Sequence, residues 1–163
     1  MDKSKLLVGL LVVAVLFIVV MVFRWVTADD TQRPFFEMLQ IQNTVNELSD
    51  MATDQGRAET RQIAASVRNT TTSDRAELGR VYVNVYQQST PESVREEYIQ
   101  ELDDTSEGFD DVYRELAIEL LEASQNQMQQ LAPEFTGAES IRIFERSNQN
   151  HEEQLERIRA ASE

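Results

Sequence analysis

The chain has 163 residues, with 29 acids against 15 Lys plus Arg, a net charge of −14 and no cysteine. That length leaves room for one domain with a real core beyond a short extra segment, and the missing thiols exclude disulfides and thiolate metal sites. An acidic field of this size repels nucleic acid and anionic headgroups, which disfavours a phosphate-binding role, whereas basic partners and divalent cations are compatible with it.

Leu6 to Phe23 (LLVGLLVVAVLFIVVMVF) carries no charge and no side-chain hydrogen-bonding group. At ~1.5 Å per residue the run covers ~27 Å, and Lys5 and Arg24 can snorkel from its ends to complete a hydrocarbon core of roughly 30 Å. Trp25 follows, where an amphipathic indole prefers the headgroup layer. The expected organisation is a short cytoplasmic N-terminus at 1–5, a transmembrane helix at 6–26 marked by Leu6, Phe23, Arg24 and Trp25, a juxtamembrane linker at 27–33 and an acidic helical bundle at 34–163. A cleaved signal peptide is the competing reading, with a basic start at Met1 to Lys5 and small residues at Val26-Thr27-Ala28. The run exceeds the roughly 7–15 residue core of such a peptide, and Arg24 and Trp25 interrupt the small, polar stretch that a peptidase needs, so retention is expected. Lys3 and Lys5 on one side match Arg24 and Arg33 on the other. A short basic start ahead of an apolar run commonly stays inside, so the bundle is expected outside the cytoplasm. Leaving out Asp2, Lys3, Lys5 and Arg24 gives 28 acids against 12 basic residues, about −16 for the exported part.

Pro34 fits the first turn of a helix. From there to about Asn69 the positions Phe35, Met38, Ile41, Val45, Leu48 and Ala52 recur at helical steps. Ala58, Ile63, Ala64 and Val67 continue them more weakly past a kink or hinge near Gly56. Asn69 to Ser73 is a run of capping and turn residues and reads as a loop. A second helix is predicted from about Asp74 to Gln88, with Leu78, Val81, Tyr82 and Val85 inward. The same stretch alternates as a strand would, but has no strand partner. Thr90-Pro91-Glu92 supplies a cap, a proline at the first helical position and an acid at the positive end of the dipole. Val94, Tyr98, Leu102, Phe109, Val112, Leu116, Leu120 and Leu131 fit one stripe. A break within Asp103 to Gly108, with Thr105 or Ser106 starting a new helix, is favoured over one continuous helix. Pro133 ends that segment, and Thr136 to Glu139 has the spacing of a capping box for a last helix from about Gly137 to Ala161.

The last helix repeats Ile141, Phe144, Asn148, His151, Leu155 and Ile158 at steps of three and four, a heptad seam with a polar middle. The expectation is that Asn148 and His151 lie at the bundle edge, hydrogen-bonded to neighbours. The sharper alternative is that they specify register or partner, or that His151 senses pH. Phosphate loops and nucleophile elbows are missing from the sequence. Di-iron bundles need two Glu-x-x-His pairs, and this chain has one His. Asp103 to Gly108 resembles the start of a calcium loop, but Arg114 stands where its last carboxylate belongs. The expected fold class is all-α, a single N-terminal transmembrane helix followed by an antiparallel four- or five-helix bundle. The expected function is that of an envelope interaction or scaffold protein, not an enzyme. It uses no cofactor or metal, contacts the lipid bilayer through its N-terminal helix, and binds a protein partner or a second copy but no nucleic acid. The alternative is a ligand-binding or sensor domain that signals through a membrane partner.

Overall fold

Phe35, Met38, Ile41, Val45, Leu48 and Ala52 are all buried, so the apolar steps of the first helix, α1 (residues 30–55), face the core as the sequence predicts. The structure, a computed structural model, describes residues 30–105 and 107–161. The expected anchor at 6–26, with Leu6, Phe23, Arg24 and Trp25, lies outside the described residues, as does Ser106. Among the described residues all regular structure is helical, and no helix is long and apolar enough to cross a membrane.

The hinge expected near Gly56 is a full reversal. The Gly56 amide donates to the Ala52 carbonyl at 3.0 Å, and a Cβ at this position would stand 2.6 Å from that oxygen. Arg57 is then extended, with φ −65 and ψ 166, and α2 runs over Ala58–Tyr86. Asp110 holds this corner: its carboxylate accepts from the Arg57 amide at 3.0 Å and pairs with the Arg57 guanidinium at 3.2 Å.

α2 passes straight through residues 69–73, so the expected loop there is corrected. The Thr71 hydroxyl, fully buried, bonds back to the Val67 carbonyl at 2.9 Å and also reaches Asn46 on α1. A turn-former whose hydroxyl is satisfied inside and across helices no longer competes with the helix backbone. Leu78, Val81 and Tyr82 are buried as predicted, but Val85 is 50% exposed, because the buried stripe has rotated past it.

The helix start expected at Thr90-Pro91-Glu92 does not form. Pro91 is buried, and its carbonyl accepts from Asn43 at 2.9 Å and from Arg75 at 2.7 Å, while the Arg95 amide donates to Thr44 at 2.8 Å. These ties lay residues 87–95 along α1, and α3 begins only at Glu96 and ends at Asp103. The break predicted at Asp103 to Gly108 is present. α4 (Phe109–Leu131) starts behind Gly108, whose φ of 77 suits glycine, and not behind Thr105, whose hydroxyl instead bonds the Glu101 carbonyl at 2.7 Å. A 3-10 turn at Ala132–Glu134 contains Pro133, and α5 spans Ala138–Ala160. No side-chain bond caps α5. Gly137 occupies the capping position, so the expected capping box is not made.

Two apolar clusters mark the ends of the bundle. Phe35, Tyr82, Phe135 and Phe144 dominate one, with the Phe35 ring 5.4 Å from Tyr82 and 5.5 Å from Phe135, both edge-on. This is the aromatic end, where α1 starts. Val45, Leu48, Ile63, Leu102, Leu116, Leu120 and Leu155 are among those that fill the other, the aliphatic end. α1 and α5 run from the aromatic to the aliphatic end, and α2 and α4 run the other way. The ties Thr71 to Asn46, Asn150 to Asp74, Arg159 to Glu122 and Ser49 to Tyr113 close the ring α1–α2–α5–α4. Every neighbouring pair is therefore antiparallel, with residues 87–108 crossing between the hairpins α1–α2 and α4–α5.

Candidate functional site

Between the two clusters each long helix presents polar side chains to the interior. Gln42 sits on α1, Thr71 and Asp74 on α2, Ser124 on α4, and Ser147 and His151 on α5, none more than 1% exposed. On α2, α4 and α5 each of these residues falls between apolar positions that belong to opposite ends, whereas Gln42 follows Ile41, already part of the aliphatic cluster.

At its centre His151 Nε2 stands 3.9 Å from Asp74 Oδ2, too far for a hydrogen bond. Asn150 donates to Asp74 Oδ1 at 2.8 Å. Burial raises the Asp74 pKa to about 6, held from going higher by Asn150, Ser147 and the charge of Arg146, although the Ser147 hydroxyl does not reach proper hydrogen-bond geometry. Burial likewise lowers the His151 pKa to about 4. Between those values both groups are neutral. Above them the layer holds a carboxylate, and below them an imidazolium.

Both ring nitrogens of His151, both amide atoms of Gln42, the hydroxyls of Ser124 and Ser147 and Asp74 Oδ2 have no hydrogen-bond partner among the described residues. Each such buried group costs on the order of 1–3 kcal/mol of desolvation. A bundle that retains this layer gives up stability for something else, and fixing helix register is the best-attested use of such a device.

His151 is thus not at the bundle edge and not hydrogen-bonded to neighbours, which corrects the expectation. Asn148 is half-buried with its Oδ1 unpartnered, and it is Asn150 that reaches the carboxylate. Ile141 is 37% exposed, and Ile143 takes its place in the core. The predicted seam holds at Phe144, His151, Leu155 and Ile158, while Ser147 takes the buried place expected of Asn148. Sequence reasoning missed Asp74 and Gln42. The apolar steps of α1 had hidden Gln42 beside Ile41, and Asp74 followed a run of turn residues. Among the described residues no group of three or more His, Asp or Glu is placed to hold a metal ion. Just past the acidic turn, in the first turns of α4, Arg114 pairs with Asp111 at 2.9 Å.

The outer surface is electrically lopsided. Residues 96–122, which form α3 and the α4 turns that pack at the aliphatic end, contain eleven acids and one basic residue, Arg114. Arg33, Arg80, Arg142 and Arg146 stand at the aromatic end together with Asp30, Glu37, Glu77, Glu134, Glu139 and Glu145. There Arg146 pairs with Glu77 and Arg33 with Glu37, whereas Arg80 and Arg142 flank Val85 in a groove of about 290 Å³ between α2 and α5. No family profile matches this chain, and neither a curated protein nor a solved structure does.

Proposed function

We propose that the chain is a membrane-anchored interaction module, held by residues 6–26 with its bundle outside the cytoplasm, and that it acts by binding a basic protein surface, not by catalysis. The lopsided charge supports this reading. The acids of α3 and α4 crowd the end of the bundle remote from residue 30, the first described residue after the apolar run, and an anchored chain presents that end away from the bilayer. Long-range attraction to a positively charged surface steers encounter and weakens with salt. The test is purification of the full-length protein in mild detergent, comparing wild type with a Glu115→Gln, Glu122→Gln variant. A protein that copurifies with wild type, is lost at high salt and is depleted in the variant supports the reading. Equal recovery from both, or no recurrent partner, sinks it. A cysteine introduced at the exposed Glu107 tests orientation, since protection from an impermeant thiol reagent in intact cells would put the bundle inside.

The polar layer favours a second reading, an extracytoplasmic sensor whose helices shift when the layer is solvated or occupied, with the signal passed to a membrane partner. A stimulus that changes exchange protection at Gln42 and Ser124 without changing partner recovery would favour it over the first.

A further inference from the structure

We propose that the aromatic end of the bundle docks on the headgroup layer of the membrane that holds residues 6–26; this rests on the anchor reading above. The first argument is reach. Six residues, 24–29, separate Phe23 from the first described helical residue. At no more than roughly 3.5 Å per residue they put the start of α1 within ~20 Å of the end of the apolar run. The bundle face nearest that point is the aromatic end.

The second argument is what that face exposes. Phe36, Val83, Val85 and Ile141 are the large apolar side chains left open among the described residues, at 37%, 42%, 50% and 37%. All four belong to the aromatic end: Phe36 follows Phe35 in α1, Val83 and Val85 flank the last turn of α2, and Ile141 opens α5. Arg80 and Arg142 stand beside Val85 in a groove that also holds Glu139, Arg80 lies beside Val83 as well, and neither arginine makes an ion pair within the described residues, unlike Arg146 with Glu77. Exposed apolar side chains with guanidinium groups close to two of them suit the boundary between phosphates and acyl chains.

The third argument is that long-range repulsion is weak at this end. The whole-chain charge of −14 says that an anionic surface should reject the bundle, but the field of exposed charges fades over a Debye length of about 8 Å at physiological salt. α2 alone has 29 residues, so the two ends lie ~40 Å apart at ~1.5 Å per residue. The membrane therefore faces an end where Asp30, Glu37, Glu77, Glu134, Glu139 and Glu145 are largely offset by Arg33, Arg80, Arg142 and Arg146, and hardly feels the acids of α3. Such a contact is too small to hold a free domain. A tether that keeps the end within ~20 Å of the surface supplies an effective concentration in the millimolar range, and there it suffices.

The test uses the full-length protein, which has no native cysteine, reconstituted in vesicles of phosphatidylcholine alone or mixed with phosphatidylglycerol. A fluorophore on Asn84→Cys, in the groove, reports the aromatic end, and one on Glu115→Cys reports the opposite end. Headgroup-region spin-labelled lipid should quench the first and spare the second in both kinds of vesicle. Adding Arg80→Gln and Arg142→Gln should lower the docked-to-undocked ratio about fivefold for each arginine in anionic vesicles and leave it unchanged in neutral ones. Matching circular dichroism and melting curves show that these variants are folded. Flotation after a carbonate wash reads the anchor separately. Protein that floats but is unquenched overturns the docking and leaves the anchor reading intact, and protein stripped from the vesicles overturns both. Disulfide cross-linking of Asn84→Cys to a second copy, in place of lipid quenching, would assign this face to self-association and also overturn the proposal.

Discussion

Burial pushes Asp74 and His151 toward their neutral forms from opposite sides, and the two effects on stability have opposite signs. The Asp74 pKa is raised to about 6 from an ordinary 3.8, so its contribution is fully present below the unfolded value and is lost as pH rises through 6. The His151 pKa is lowered to about 4 from 6.5, so its contribution is present above 6.5 and is lost as pH falls toward 4. In the wild type the two offset each other between those limits, each at on the order of 1 kcal/mol per pH unit. Asp74→Asn should therefore lose stability relative to wild type between pH 7 and pH 4.5, and His151→Gln should gain it. Urea denaturation of the three proteins at both pH values checks the pair, and identical pH slopes would remove both residues from the linkage. Gln42 permits a simpler test. Its two amide atoms are buried and unpartnered, so Gln42→Leu should raise stability by about 1–3 kcal/mol. If the layer fixes register, the more stable variant should also show broadened amide resonances from competing packings. A lower denaturation midpoint would mean that Gln42 is satisfied after all.

At the scale of elements, the sequence disclosed what depends on periodicity and concealed what depends on tertiary contact. The core stripe of α1, the break at Gly108 and the end of α4 near Pro133 were legible because spacing, glycine and proline act locally. The helix through Asn69 to Ser73 was not, since the group that occupies the Thr71 hydroxyl is Asn46, 25 positions away. Nor was the missing helix start at Pro91, where Asn43 and Arg75 hold the carbonyl. Gly56 was read as a hinge because glycine weakens any helix. The stronger reason for it, a close approach to the Ala52 oxygen, is visible only in three dimensions. Gly56→Ala should therefore destabilise by about 1–3 kcal/mol, more than a propensity argument allows and opposite in sign, since alanine is the better helix former. A thermal midpoint equal to or above that of wild type would refute the steric account.

For the whole molecule, net charge proved a poor guide because it averages over two unlike ends. Asp103 and Asp104 stand exposed at the C-terminal end of α3, where the helix dipole is already negative and like charges surround them. Neutralising Asp103 and Asp104 to Asn should raise the melting midpoint at low ionic strength, and the gain should shrink in ~0.5 M salt, where the screening length is only a few ångströms. A gain that survives high salt would point to a local packing cause. The antiparallel ring of helices was foreseeable from four amphipathic stripes. The crossover between its hairpins was not, since it is held by side chains of α1 and α2.

That crossover makes assembly a meeting of two local hairpins, with Asp74 carried by one and His151 by the other. Near pH 5 the unfolded chain bears an aspartate and an imidazolium, while the folded layer bears neither charge. Folding at that pH therefore hands a proton from the histidine to the carboxyl group with no net exchange with solvent, and the hairpins approach as opposite charges. At pH 8 the carboxylate must be buried with no such attraction and no proton to take. Refolding in stopped flow should accordingly be fastest near pH 5, even though the pH dependences of the two groups at equilibrium nearly cancel there. The polar layer is then a gate on the rate of assembly.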